Sequence, residues 1–222
     1  VKGREKPMNI AKYIDHTLLR ANATEAEIIK ICKEAREYGF ASVCVNEYYT
    51  GLVKRELEGS DVKVCAVVGF PLGANSWEVK KYETMAALEN GADEIDMVIN
   101  IGALKDGRDD VILKEISELK KTIGDKVLKV IIEACLLTEE EKVRACKLAM
   151  EAKADFVKTS TGFSTGGATV EDVKLMKETV KDACKVKASG GIHSYEEAMA
   201  MINAGADRIG ASSGIKIVEG SK

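Results

Sequence analysis

Histidine is scarce in this chain: two residues in 222, His16 and His193, against 33 lysines and arginines and 36 aspartates and glutamates. Neither stands in an HxH or HExxH spacing, so a histidine-based zinc site has little to be built from, and metal-dependent chemistry is the weaker expectation. Proline is down to 2 residues, and no proline- or serine-rich linker divides the sequence, which reads as one domain. No apolar run approaches the roughly 18 residues of a membrane span. The formal net charge is only −3; no arm or stripe is strongly basic, which argues against a nucleic-acid partner. The first residues, VKGREKP, lack the apolar core of a secretory signal. Met8 reads as a natural start, with residues 1–7 an N-terminal extension or cloning remnant and residues 8–222 the folded domain. The 6 cysteines lie singly in apolar segments without a CxxC pair. That pattern suits reduced, buried thiols in a cytoplasmic protein.

What the chain does have is a repeating alternation. Short apolar runs recur at residues 12–16, 41–46, 62–70, 93–100, 126–134, 155–160, 184–190 and 206–212. Helical patterns with start signals lie between them: Thr24 with Glu27, Asn75 or Ser76, Thr138 with Glu141, Thr169 with Asp172, and Ser194 with Glu197. Strands alternating with helices imply a parallel sheet, and eight is the number that closes a TIM (β/α)8 barrel. A doubly wound open sheet is the alternative.

Strand parity assigns directions. In DEIDMVIN, Ile95, Met97 and Ile99 share the face that packs against helices, so Asp96 points into the barrel. By the same count Lys158 and Lys187 point inward, Lys129 and Glu133 share one parity, and Cys44 shares its face with Ser42 and Asn46. Burying charge without partners is costly, so this convergence must be paired, functional or both.

Lys158 falls at the C-terminal end of its strand, where barrels place their active sites. A lysine attacking a carbonyl must be neutral, and desolvation or a second cation lowers its pKa. Lys187 on the next strand is the expected second cation, and Asp96 the group that moves protons. Each has a blander reading: Lys158 as a rim lysine or a partner of Glu133, Lys187 as a salt bridge to Asp96. Gly190 with Gly191, and Gly210-Ala-Ser212-Ser213, follow strands seven and eight, where barrels often hold phosphate on backbone N–H groups and helix N-termini.

These stretches resemble the deoxyribose-phosphate aldolase family. The matching segments are IDHTLL (14–19), ASVCVNEYY (41–49), VVGFPLG (67–73), GADEIDMVINIGAL (91–104), FVKTSTGF (156–163), VKASGGI (186–192) and RIGASSG (208–214), in family order. The resemblance implies reversible cleavage of 2-deoxy-D-ribose 5-phosphate to D-glyceraldehyde 3-phosphate and acetaldehyde. It further implies Lys158 as the Schiff-base residue, with Lys187 and Asp96 in the proton relay, and no metal or cofactor. Phosphate contacts are implied at Gly162, Gly190, Gly191, Ser212 and Ser213. Some family members carry a lysine where this chain has Phe163, which leaves the backbone as the phosphate ligand there. The resemblance also implies a homodimer or homotetramer. The rivals are an imine-forming aldolase or transaldolase for another sugar phosphate, a carboxylate- or metal-dependent epimerase, and a phosphate-binding barrel without catalysis.

Overall fold

Val, Ile and Ala alternate with polar residues along each apolar run, so each strand has one face for a helix layer and one for an interior. The computed structural model describes residues 8–221; the expectation for residues 1–7 lies outside them. Eight strands run β1 (Ile14–Leu18), β2 (Ser42–Asn46), β3 (Lys63–Val68), β4 (Glu94–Val98), β5 (Val127–Ile131), β6 (Phe156–Lys158), β7 (Lys185–Ser189) and β8 (Arg208–Ala211). They pair in sequence order, all parallel, and β8 returns to β1 with Asp15 beside Gly210, closing a TIM barrel and excluding the open sheet. The outer helices are α1 (Glu25–Tyr38), α2 (Thr50–Glu56), α3 (Trp77–Glu89), α4 (Ile101–Lys105), α5 (Asp109–Ile123), α6 (Glu139–Glu151), α7 (Val170–Val180), α8 (Tyr195–Asn203) and α9 (Gly214–Glu219). No helix among the described residues is long and apolar enough to cross a membrane.

Four of the five capping signals form, while Ser76 stands at the start of α3 without a side-chain cap. Thr24 with Glu27, Thr138 with Glu141 and Ser194 with Glu197 close reciprocal capping boxes, and Thr169 accepts from the Asp172 N–H. Each satisfies amides that a helix start otherwise leaves open. The strands after β1 are shorter than the apolar runs that announce them, and β1 is displaced by two residues. Residues 12–13 belong to a short 3-10 turn rather than to β1. β6 stops at Lys158; just beyond it the Thr159 N–H still donates to the Lys187 carbonyl and its hydroxyl to the Ser189 carbonyl of β7.

The main core lies between barrel and helices, where Ile95, Met97, Val130, Val157 and Val186 are fully buried against the outer layer. The interior divides in two. Leu19, Cys44, Cys65 and Val67 make a small apolar cluster against Phe70. Charged side chains from β1, β4, β5, β6, β7 and β8 fill the rest. At the barrel floor the Phe156 ring faces Lys129, Lys185 and Arg208 at 5.9, 5.7 and 5.4 Å.

Candidate active site

Register brings the expected residues together. Asp96 lies beside Lys129 in the ladder, and Lys158 beside Lys187. Asp96 is fully buried and divides its carboxylate. Oδ2 accepts from Lys158 Nζ at 2.9 Å and from Lys187 Nζ at 2.8 Å. Oδ1 accepts from Lys129 Nζ at 2.8 Å and from the Cys65 thiol at 3.2 Å. Burial works to neutralise this carboxylate, but Lys129, Lys158 and Lys187 outweigh it and hold its pKa well below the usual range. Burial also works against the Lys187 ammonium, and Asp15 (2.6 Å away) with Asp96 overcomes it, so Lys187 stays charged.

Parity called Asp96, Lys158 and Lys187, but Asp15, Glu94 and Arg208 complete the cluster and were not singled out. Their signal was present: Glu94 is two residues before Asp96 on the same face. Arg208 bonds Asp15 at 2.7 Å and Glu94 at 3.1 Å, and Glu94 lies 2.6 Å from Lys129. Among the described residues the interior therefore holds four cations, Lys129, Lys158, Lys187 and Arg208, and three carboxylates, Asp15, Glu94 and Asp96. Lys158 shares its one carboxylate with two other lysines. The cluster thus carries one cation more than it has carboxylates.

One alternative that the sequence left open falls away. Lys158 does not pair with Glu133. That residue, in the left-handed region at φ 54°, accepts from the Thr161 N–H at 3.1 Å and the Thr161 hydroxyl at 2.6 Å, so it pins the loop after Lys158. Strain held at a fully enclosed carboxylate is a mark of a built loop. Gly210 lies at the cavity wall within β8, where a Cβ would come within 3.0 Å of Lys187 Cε. It makes room for that lysine.

Above the charged layer opens a cavity of about 400 Å³ lined by Lys158, Gly162, Phe163, Gly190, Gly191, His193 and Ser212, with Thr17 to Arg20 on the opposite wall. Lys129 and Lys187 are sealed beneath it at zero exposure. The polar residues of the TSTG stretch are mostly turned to structure. Ser189 Oγ donates to the Ser160 carbonyl at 2.6 Å, and Thr159 Oγ1 accepts from the Ser189 N–H at 3.1 Å. Gly162, Gly190 and Gly191 all have positive φ, a conformation glycine adopts freely. Ser213 stands behind the cavity wall with its hydroxyl 3.5 Å from His193 Nδ1. The α8 N-terminus is closed from within, because Glu197 accepts from the His193 and Ser194 N–H groups.

The other histidine faces away. His16 Nε2 is 2.6 Å from Glu34 and its ring packs on Phe40. Cys44, Cys65 and Asp96 place possible ligand atoms within 4.8 Å of one another. Lys129 already lies 3.4 Å from Cys65 Sγ and 2.8 Å from Asp96 Oδ1, so this trio suits an ammonium and not a metal cation.

The chain is similar to known proteins along its length. It is 63% identical over 216 residues to the deoxyribose-phosphate aldolase of Clostridium tetani, covering 97% of this chain and 100% of that one. It is 66% identical over 213 residues to the deoxyribose-phosphate aldolase of Finegoldia magna, covering 96% and 100%. A solved deoxyribose phosphate aldolase from Aeropyrum pernix, described as a unique tetramer, superposes with a TM-score of 0.87 at 37% identity, covering 95% and 89%. The family model of DeoC/LacD family aldolases matches residues 9–220, and the chain belongs to that family.

Proposed function

We propose that this chain is a lyase that reversibly cleaves 2-deoxy-D-ribose 5-phosphate into D-glyceraldehyde 3-phosphate and acetaldehyde through a Schiff base on Lys158. The observation that carries this reading is the placement of Lys158 Nζ at the cavity floor, 2.9 Å from a carboxylate that also binds Lys187. Similarity to deoxyribose-phosphate aldolases over nearly the whole chain supports the substrate.

Neutral Lys158 attacks C1 of the open-chain sugar, and the carbinolamine loses water to give a protonated imine. The C3 hydroxyl then passes its proton through a water to the Asp96 carboxylate and the C2–C3 bond breaks. The electron pair moves toward the imine nitrogen, leaving an enamine as glyceraldehyde 3-phosphate departs. Protonation at C2 and hydrolysis release acetaldehyde and free the lysine. Charged Lys187 is the proton donor held ready, and Asp96 keeps Lys158 and Lys187 within one proton transfer of each other. The phosphate sits on Gly162, Gly190, Gly191 and Ser212, with Ser213 behind, and its binding energy positions C1 over Lys158. A homodimer or homotetramer is supported by the tetrameric relative. Cytoplasmic residence is supported by six free cysteines, five of them buried.

The test is a product assay. Purified protein with deoxyribose 5-phosphate should yield both aldehydes in equal amounts, before and after dialysis against a strong chelator. Cleavage of a different sugar phosphate instead would reassign the substrate. Loss on chelation that a divalent ion restores would replace the imine with a metal mechanism.

A further inference from the structure

Beneath the cavity, Lys129 and Glu94 form a pair at 2.6 Å that is sealed from the substrate. We propose that this pair sets the pH at which Lys158 reacts with aldehyde, acting through Asp96. The proposal rests on Lys158 being the imine-forming residue.

Geometry gives the pair its leverage. Asp96 has two oxygens and three lysines around it. Lys129 takes Oδ1, which turns Oδ2 to Lys158 and Lys187. Glu94, shared with Arg208 at 3.1 Å, offsets the charge of Lys129. Lys129 also stands 3.7 Å from Asp15. Burial opposes the Lys129 ammonium, but Asp96, Glu94 and Asp15 hold it charged. The groups that face this cluster are Asp15 from β1, Cys44 from β2, Cys65 from β3, Glu94 and Asp96 from β4, Lys187 from β7 and Arg208 from β8. Glu133, beyond β5, is occupied by Thr161.

Because the interior carries four cations and three carboxylates, removing either member of the pair changes the balance seen by Lys158, in opposite directions. Lys129→Met leaves three cations against three carboxylates, so protonated Lys158 gains and imine formation shifts to higher pH. Glu94→Gln leaves four against two, so neutral Lys158 gains and imine formation shifts to lower pH. The double variant restores a surplus of one cation. Lys129 and Glu94 are thus positioning residues, and their signature is a displaced pH profile, not merely a slower reaction.

The experiment uses the purified full chain with acetaldehyde and cyanoborohydride, following the reduced adduct on the Lys158 peptide by mass. Rates are taken from about pH 5.5 to about pH 9.5 to bracket the rising limb. Each single variant should displace the midpoint by about one pH unit, upward for Lys129→Met and downward for Glu94→Gln. The double variant should return to within a few tenths of a unit of the parent. Lys129→Met removes a buried partner and can fail to fold, which a thermal melt reveals; Glu94→Gln then decides alone by its downward displacement. Unmoved midpoints, or both singles moving the same way, overturn the proposal. No adduct on Lys158 in the unaltered chain instead overturns the imine reading itself.

Discussion

Two buried sets of lysines and carboxylates lie on opposite sides of the barrel wall, and only one of them faces a cavity. Outside, Lys80 of α3 meets Glu115 of α5 at 2.5 Å with both side chains almost fully enclosed. Glu115 also accepts from the Asn100 N–H at 2.7 Å. Burial pushes the Lys80 ammonium down and the Glu115 carboxylate up, each partly countered by the other. One lysine and one carboxylate close on each other, and the pair fastens α3 to α5 and to the loop after β4. Inside, Asp96 serves three lysines and the set carries one surplus cation. Burial and pairing alone do not distinguish a reactive lysine from a structural one. What sets the inner set apart is its surplus cation and the cavity that Lys158 lines.

Breaking the inner set should have the largest effect on turnover. Lys158→Arg keeps a charge at the site but cannot form an imine at neutral pH, and turnover of deoxyribose 5-phosphate should fall by more than about 100-fold. Retained turnover in a steady-state assay would remove Lys158 from its role. At the cavity wall, Ser212→Glu places a negative charge where the phosphate approaches. Its kcat/KM on deoxyribose 5-phosphate should drop by about 10-fold or more, while its feebler turnover of unphosphorylated deoxyribose persists. An equal loss on both substrates would mean damage to the fold or chemistry, not a phosphate site. Breaking the outer pair should spare the chemistry. Lys80→Met strands a buried carboxylate and should cost about 3–5 kcal/mol in urea unfolding, yet leave the pH profile of imine trapping where it was. A displaced profile would show that the two sets are coupled across the wall.

A smaller effect should appear in acid. Asp15 and Asp96 are held well below the usual carboxylate range by the cations around them, against the pull of burial. Groups lowered in the fold add stability that is complete above their unfolded pKa of about 3.9 and lost as pH falls toward the folded values. Their contribution to denaturant melts should be level from pH 7 to about pH 5 and then decline. Asp15→Asn should flatten that acid limb, and an unchanged limb would place the linkage elsewhere.

Strand count, barrel closure and the inward direction of Asp96, Lys158 and Lys187 were legible because a period of two is written directly into each apolar run. Glu94 was equally legible by parity, but parity does not say which inward charges meet. Asp15 and Arg208 lie 193 residues apart and touch only because β8 closes on β1. The phosphate side is less specific in sequence for a different reason. Its Thr, Ser and Gly residues have several uses, and most of the hydroxyls bond neighbouring backbone, while Gly210 yields space to Lys187. The alternative of Glu133 as partner of Lys158 falls away because a left-handed residue after β5 ends the alternation and turns the carboxylate onto Thr161.

The most direct test of the account is reductive trapping with acetaldehyde followed by peptide mapping. The account predicts one added ethyl group, carried by the peptide containing Lys158 and absent from those containing Lys129, Lys187 and Lys80. Label on Lys187 in place of Lys158, or no label under conditions where cleavage proceeds, would contradict it.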